Sequence, residues 1–323
     1  MPRPGVLIVG FGGPDSPEAV GPFMCNLMGR EPSPDLVARV RARYELIGGV
    51  SPLLLTAQDL ADGVAVALAS ADDPMPVEVG MRYWHPSIAE AVAALACAGV
   101  EVVVMVSLSP YEAAVTHGEY RAAAEAASSE HPGMRVLDAP LLSGLPSFLD
   151  LQAASARAAV AELDAPSAPL VFTAHSLPLE DVARDDSYVR GLEAAADEVA
   201  ARLGLGAGAK IEVFPGVEAF GSVDDGRTWL VAYQSQGTRG GAWLGPELHE
   251  VIDSIALQGL SGVAVVPLGF ATDHMETCHD LDVIARARAT DAGLLFSRSD
   301  LPNAHPALAA GIARAVRDVL ASA

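Results

Sequence analysis

Short aliphatic and β-branched runs alternate with alanine-rich stretches along the whole chain, and this alternation constrains the fold more than any other feature. The runs predicted as strands are 6–9, 77–81, 100–107, 170–174, 230–234, 263–268 and 294–296. Helical patterns occupy 86–98, 147–163, 188–203, 246–257, 282–292 and 306–321. Near-continuous apolar strands alternating with helices are typical of parallel sheets covered by helices on both faces. The sequence therefore predicts an α/β fold, in which ligands bind beyond the carboxyl ends of the strands.

Two segments of similar character indicate two similar halves. "VLIVGFGGP" opens the first half and "LVFTAHSLP" opens the second, each as a strand, then small residues, then a proline turn. A length of 323 residues suits two packed lobes. We expect a first lobe over 1–144, a second over 145–305, and a C-terminal helix over 306–323 that packs back on the first lobe.

Composition and charge exclude several classes of protein. The hydrophobic content of 51% is ample for a large core, and the formal charge of −21 disfavours binding to nucleic acid or to an anionic membrane. No apolar run is long enough to span a bilayer, and the N-terminus leads directly into a strand, so we expect a cytoplasmic protein. Three cysteines, far apart and without a CxxC motif, disfavour a disulfide framework or a zinc ribbon.

Two glycine- or histidine-containing motifs after strands have more than one interpretation. "VGFGGP" lacks the third glycine of a dinucleotide-binding fingerprint, because Asp15 stands there, so we expect a tight turn instead. In "FTAHSLP", His175 follows a buried strand, and its side chain either points into a crevice or caps the next element. Ser176 beside it lacks the GxSxG context of a hydrolase nucleophile.

The stretch "VVPLGFATDHMETCHDLD" has the same architecture, a strand followed by a loop and a helix. The spacing in "HMETCH" is wrong for a HExxH zinc site, and no PCxxC follows as in zinc deaminases. Glu276 and Asp280 are four residues apart and hence neighbours on one helix face. The constellation suits a weakly held divalent metal ion or a proton acceptor. It is also what an ordinary helix N-terminus enriched in acids would have.

Taken together, these segments resemble the ferrochelatase family, enzymes that insert iron into a porphyrin. The matching segments run in family order from residue 6 to about 308: "VGFGGPDSPEAVGPFMCNL", "RYELIGGVSPL", "YWHPSIAEAV", "FTAHSLP", "AYQSQGTRGGAWLGPELHEVI", "VVPLGFATDHMETCHDLD" and "RSDLPNAHPAL".

The resemblance implies a fold and a site. The fold would be two Rossmann-like lobes of the class II chelatase type, with the porphyrin in a cleft between them. His175 and Glu276 would be the catalytic metal site, with Asp280 as a secondary metal ligand and His274 either orienting the loop or hydrogen-bonding to Glu276. Cys278 and His279 are expected to take no part. The residues implied to bind the porphyrin are Phe11, Arg30, Arg43, Tyr44, Ser51 and Tyr120.

The resemblance also implies substrates. We expect Fe²⁺ as a substrate and coproporphyrin III, or less favoured protoporphyrin IX, as the acceptor. This choice rests on likeness to Gram-positive relatives in the short "MGREPSPD" region and in the lack of a membrane-anchoring tail. Arg30 and Arg43 are the candidates to bind the porphyrin carboxylates. We expect no [2Fe–2S] cluster, because the cysteines do not match the family's ligand pattern, and we expect a monomer.

Departures from the family pattern leave two alternatives open. Ile284 stands where many members of the family have an acidic residue, and His279 stands where they usually have tyrosine. The chain also differs from the family pattern at Met28, Leu54, Leu55 and the segment 185–188. The first alternative is a chelatase for another metal ion or tetrapyrrole. The second is a protein that binds heme or a metallophore without turnover.

Overall fold

The computed structural model describes residues 2–69, 74–206, 210–214, 217–221, 227–237 and 239–323. Its strands are β1 Pro4–Gly10, β2 Val77–Met81, β3 Val102–Ser107, β4 Arg135–Asp138, β5 Leu170–His175, β6 Lys210–Phe214, β7 Val217–Gly221, β8 Thr228–Gln234, β9 Gly262–Val266 and β10 Leu295–Arg298. Its α-helices are α1 Val20–Met28, α2 Pro34–Glu45, α3 Leu53–Leu68, α4 Ile88–Cys97, α5 Glu119–Ser128, α6 Pro146–Ala161, α7 Leu179–Arg184, α8 Ser187–Arg202, α9 Leu248–Leu257, α10 Met275–Cys278, α11 Arg286–Asp291 and α12 Pro306–Ser322. Two π-helices, Ala114–Gly118 and Asp280–Ala285, precede α5 and α11, and a 3₁₀ turn covers Leu142–Gly144.

The chain divides into two compact units. Unit 1 consists of Met1–Ser147, Ala271–Met275 and Pro302–Ala323, and unit 2 of Phe148–Phe270 and Glu276–Leu301. Each unit contains one sheet. Among the described helices, none combines the length and the apolar character that a membrane span requires.

Unit 1 is built on a four-stranded sheet in the order β2-β1-β3-β4, with every pair parallel. The central strands β1 and β3 are buried over nearly their whole length, which is why their sequences are continuous aliphatic runs. Helix α12 packs on α3 and contacts β3. A Cβ atom on Gly63 of α3 would lie 3.1 Å from that of Ala309, so the two helices approach closely through small residues.

Unit 2 is built on a six-stranded sheet in the order β10-β9-β5-β8-β7-β6. Strands β10, β9, β5 and β8 are parallel, whereas β7 and β6 extend the sheet in the antiparallel sense. Its apolar core includes Val171, Leu230, Val251, Ile252 and Val265. The prediction of an α/β fold with parallel sheets flanked by helices is therefore confirmed. The antiparallel strands β6 and β7 were not predicted.

Candidate active site

The candidate metal pair lies at the carboxyl ends of unit 2 strands. His175 is the last residue of β5, and Glu276 lies in α10, which follows β9 after a short loop. Nε2 of His175 is 3.3 Å from Oε1 of Glu276, and each side chain is about one-third exposed (31% and 35%). The histidine therefore points toward a carboxylate at the sheet edge where ligands of α/β proteins bind, rather than capping the next element.

His175 is a protonated imidazolium in this arrangement. Burial of the ring opposes the charge, but the carboxylates of Glu276 and Asp280 and the backbone carbonyl of Ser176 outweigh it and raise the pKa of His175 to about 9. Nδ1 lies 2.5 Å from the Ser176 carbonyl oxygen, which can only accept, so Nδ1 carries a proton. The raised pKa favours the imidazolium at neutral pH over the neutral imidazole, the form that would ligate a metal ion. Coordination through Nε2 requires loss of a proton.

Asp280 is held by hydrogen bonds to both of its carboxylate oxygens. The Ser235 hydroxyl donates to Oδ2 at 2.6 Å, and Nδ1 of His279 lies 2.7 Å from Oδ1. His279 is buried, with its side chain 8% exposed. This histidine was expected to take no part, and the structure instead places it against the secondary metal-ligand candidate.

Sequence reasoning did not single out three further residues that contact this site. Nε2 of Gln234 donates to the backbone carbonyl of Glu276 at 2.8 Å, and Ser235 holds Asp280. The hydroxyl of Tyr188 donates to the backbone carbonyl of His175 at 3.0 Å. Burial first, and then the charges of Tyr233 and Glu276, raise the pKa of Tyr188, which keeps this phenol as a donor. The available signal was the polar pair in "YQS" directly after an apolar strand.

The carboxylates of the site belong to an irregular helical segment. The single turn α10 is followed by the π-helix Asp280–Ala285, and π-helical segments occur frequently at functional sites. Asp282 in the π-helix takes a bidentate contact from Arg298 of β10, with Nε to Oδ1 at 2.7 Å and Nη2 to Oδ2 at 2.9 Å. Both carboxylate oxygens of Asp282 therefore serve to hold the π-helix against β10. Ile284 is 53% exposed.

The ligand set is sparse. Among the residues that the structure describes, no group of three or more His, Cys, Asp or Glu side chains is arranged to hold a metal ion. Structural metal sites surround the ion with four or more protein ligands. His175 and Glu276 together provide two side chains, fewer than such a site uses.

Unit 1 contains the residues that the resemblance assigns to the porphyrin. Ser51 is buried, its N–H donates to the Pro14 carbonyl at 2.8 Å, and its hydroxyl accepts from the N–H of Leu53 at 3.4 Å. A Cβ atom on Gly13 would lie 2.6 Å from the Ser51 hydroxyl oxygen, so this glycine is required for the close approach. Tyr44 is buried in a small cluster with Val20 and other apolar residues.

An aromatic cluster follows β1 and β2 in unit 1. The rings of Phe11 and Tyr83 are tilted, with centroids 4.8 Å apart, and Phe11 is 36% exposed. The Tyr83 hydroxyl donates to Glu119 at 2.7 Å, and the Arg82 guanidinium lies over the Tyr83 ring. Burial and this hydrogen bond raise the pKa of Tyr83 to about 12, so the phenol stays protonated.

The three remaining porphyrin-site candidates differ in exposure. Arg30, after α1, and Arg43, in α2, are exposed. Tyr120 is 1% exposed and packs within the apolar cluster that includes Leu7 and Val103. The structure therefore places Tyr120 in the core of unit 1.

A solved structure shares the fold of this chain. The structure of "SirB from Bacillus subtilis with Fe3+" matches with a TM-score of 0.56 and 14% identity, covering 99% of this chain and 96% of that one, which shows the shared fold. The family model "Ferrochelatase" matches residues 3–320. The chain belongs to the ferrochelatase family.

Two curated relatives agree with this assignment. "Ferrochelatase" of Thermus thermophilus is 32% identical over 321 residues, covering 93% of this chain and 94% of that protein. "Coproporphyrin III ferrochelatase" of Frankia alni is 33% identical over 329 residues, covering 97% and 79%. The resemblance seen in the sequence motifs is confirmed.

Proposed function

We propose that this chain inserts Fe²⁺ into coproporphyrin III in heme biosynthesis. The observation that carries the proposal is the contact between His175 and Glu276 at the strand ends of a chain in the ferrochelatase family. The choice of coproporphyrin III is supported by relatives of that name at about 30% identity over most of the chain.

The reaction exchanges protons for a metal ion. A free-base porphyrin loses two pyrrole N–H protons as it takes up one divalent ion, so the site must present the ion and accept protons. In the pair as the structure has it, the charges of imidazolium and carboxylate cancel. Release of the Nε2 proton leaves a neutral nitrogen ligand and one negative charge, which suits a divalent ion. Two protein ligands bind the ion weakly enough for the macrocycle to take it.

The remaining site residues have supporting roles in this proposal. Asp280, tethered by Ser235 and His279, contributes negative charge near His175 and ranks behind Glu276 as a ligand. Phe11 and Ser51 are proposed to contact the porphyrin, and Arg30 and Arg43 to bind its carboxylates. Tyr44 and Tyr120, both buried, are proposed to support these residues by packing.

Anaerobic incubation of the protein with Fe²⁺ and either coproporphyrin III or protoporphyrin IX tests the proposal. We expect repeated turnover, with the higher kcat/KM for coproporphyrin III. Stoichiometric binding without turnover would instead identify a carrier. Turnover with Co²⁺ or Ni²⁺ but not with Fe²⁺ would identify a chelatase of other metal specificity.

Replacement of the histidine tests the assignment of the pair. His175→Ala is expected to reduce kcat by at least about 100-fold, while fluorescence quenching shows porphyrin binding unchanged. His249→Ala, which changes an exposed histidine of unit 2, is the matched control and should leave kcat unaltered. Full activity of His175→Ala would remove this residue from the mechanism.

A further inference from the structure

Gln234 links the two members of the candidate metal pair. It is the last residue of β8 and lies opposite His175 in the parallel pairing of β5 and β8. Its backbone carbonyl accepts from the N–H of Ser176 at 2.8 Å, directly after the histidine. Its side-chain Nε2 donates to the backbone carbonyl of Glu276, also at 2.8 Å. One residue therefore fixes main-chain positions on both sides of the pair.

These contacts close a ring. Nδ1–H of His175 donates to the carbonyl of Ser176 at 2.5 Å, and the N–H of Ser176 donates to Gln234. The side-chain amide of Gln234 donates to the backbone carbonyl of Glu276. Oε1 of Glu276 lies 3.3 Å from Nε2 of His175, which completes the ring. In such a ring, the separation of the two metal-binding atoms is set jointly by the backbone and by one glutamine side chain.

The burial of Gln234 indicates that its side-chain amide serves the contact with the Glu276 backbone carbonyl. The residue is 6% exposed, and its Oε1 is buried without a hydrogen-bond partner among the described residues. The partner at Glu276 is a carbonyl, so the amide orientation with Nε2 toward it is fixed. An unpaired buried oxygen destabilises a fold, and an apolar side chain of the same length would avoid that cost.

We propose that Gln234 is a positioning residue for metal insertion, which holds the carboxylate of Glu276 at the distance from His175 that an ion in transit requires. The inference rests on the proposed function, since it concerns the same site. It goes further in naming the residue that sets the geometry of the pair without being a metal ligand.

The test compares two buried glutamines. Gln234→Met keeps the side-chain length and removes the donor. Gln152→Met is the matched control, because Gln152 is also buried in unit 2, donates to a backbone carbonyl (Phe270, 3.1 Å) and has an Oε1 without a partner among the described residues. We expect Gln234→Met to lower kcat for metal insertion by about 10- to 100-fold, the range typical of partners that orient metal ligands. The Kd for the porphyrin is expected to stay unchanged, and Gln152→Met is expected to keep the wild-type kcat.

A second readout uses Co²⁺ alone, whose visible absorption depends on ligand number and geometry. The Co²⁺ spectrum of the wild type is expected to change in Gln234→Met and to persist in Gln152→Met. Equal loss of kcat in both variants, or wild-type kcat and Co²⁺ spectrum in Gln234→Met, would overturn the proposal. Where Gln234→Met does not fold, Gln234→Asn, which keeps the amide but loses reach, takes its place with the same two outcomes.

The two proposals fail differently. If the wild type inserts no metal ion into any porphyrin, the proposed function is wrong. The Co²⁺ spectra would then still decide whether Gln234 sets the geometry of the pair.

Discussion

His175 carries a proton that metal binding must remove. The carboxylates around it raise its pKa to about 9, above the ordinary value near 6.5, although burial acts in the opposite direction. The ion pair with Glu276 therefore stabilises the fold fully below about pH 6.5, and this contribution is lost as the pH rises through about 9. Metal uptake at neutral pH should accordingly release a proton from the protein.

Neutralising Glu276 should lower the pKa of His175. Glu276→Gln removes one of the two carboxylates that stabilise the imidazolium, while burial of the ring still disfavours its charge. The pKa of His175 is therefore expected to fall from about 9 toward the ordinary value or below it. NMR titration of histidine-labelled protein measures this, with His175→Ala to assign the signal. Glu250→Gln, on the surface of α9, is the control. An unchanged pKa in Glu276→Gln would show that the charge of Glu276 does not set the protonation of His175.

Gly13 is required by the position of Ser51. Gly13→Ala would place a methyl group 2.6 Å from the Ser51 side chain, so Ser51 has to move or the fold has to strain. We expect a loss of about 1–3 kcal/mol in the free energy of unfolding, measured by urea denaturation, as for other overpacked sites.

The porphyrin KM separates this substitution from a general loss of stability. If Ser51 contacts the porphyrin, KM should rise in Gly13→Ala. Gly144→Ala adds a methyl group with no heavy atom within 4 Å and should change neither quantity. A wild-type KM for Gly13→Ala would place Ser51 outside the binding site.

At the scale of elements, an ion pair connects the π-helix Asp280–Ala285 to strand β10. Arg298 of β10, whose side chain is 12% exposed, holds Asp282 through two hydrogen bonds. Arg298→Met is expected to lower the free energy of unfolding by about 1.5–3 kcal/mol, the range for hydrogen bonds to charged groups. Urea denaturation measures the change.

A second bidentate pair in the same unit is the control for this prediction. Arg288 contacts Asp253 in the same way, but its side chain is 50% exposed. Arg288→Met should therefore cost no more than about 1 kcal/mol. Equal costs for the two variants would mean that burial does not distinguish the pairs.

Sequence periodicity predicted most of the strands, among them the fully buried β3 and the partly exposed β10. Strand β3 is buried at every position and was predicted within two residues. Strand β4, with the sequence RVLD, has an exposed or half-buried pattern and was not predicted. The π-helix was predicted only as ordinary helix, because apolar spacing over six residues does not distinguish the two. The antiparallel strands β6 and β7 carry no sequence signal for their direction.

The candidate site shows a similar limit. The residues themselves left the roles of His175 and Glu276 open, and the resemblance of "AHSLP" and "DHMET" to the ferrochelatase family assigned the pair. Gln234 and Ser235 could not be assigned, because their partners lie 42 and 45 residues away along the chain. Strand β8 pairs with β7, its neighbour in sequence, but also with β5, and the pairing with β5 places Gln234 opposite His175.

At the scale of the whole molecule, net charge opposes one substrate and favours the other. The chain carries a formal charge of −21, which attracts a divalent cation and repels a porphyrin with four carboxylates. Because salt screens both effects, raising the ionic strength should increase the association rate of coproporphyrin III and weaken the apparent affinity for Fe²⁺. Stopped-flow fluorescence quenching measures the association rate.

Protoporphyrin IX, with two carboxylates, is the control for the salt dependence, and its association rate should change less. A rate for coproporphyrin III that falls with salt would contradict the prediction. It would show that local cations such as Arg30 and Arg43 outweigh the net charge of the molecule.

Unit 1 is assembled from three separate parts of the chain, and its last part is α12. On the ribosome, α3 emerges more than two hundred residues before the helix that packs on it. Until translation reaches that helix, the surface of α3 around Gly63 lacks its partner, while every residue of unit 2 has already been synthesised. The unit that begins the chain is therefore completed last, and its newly made surface has to be kept from aggregation for most of the time that synthesis takes.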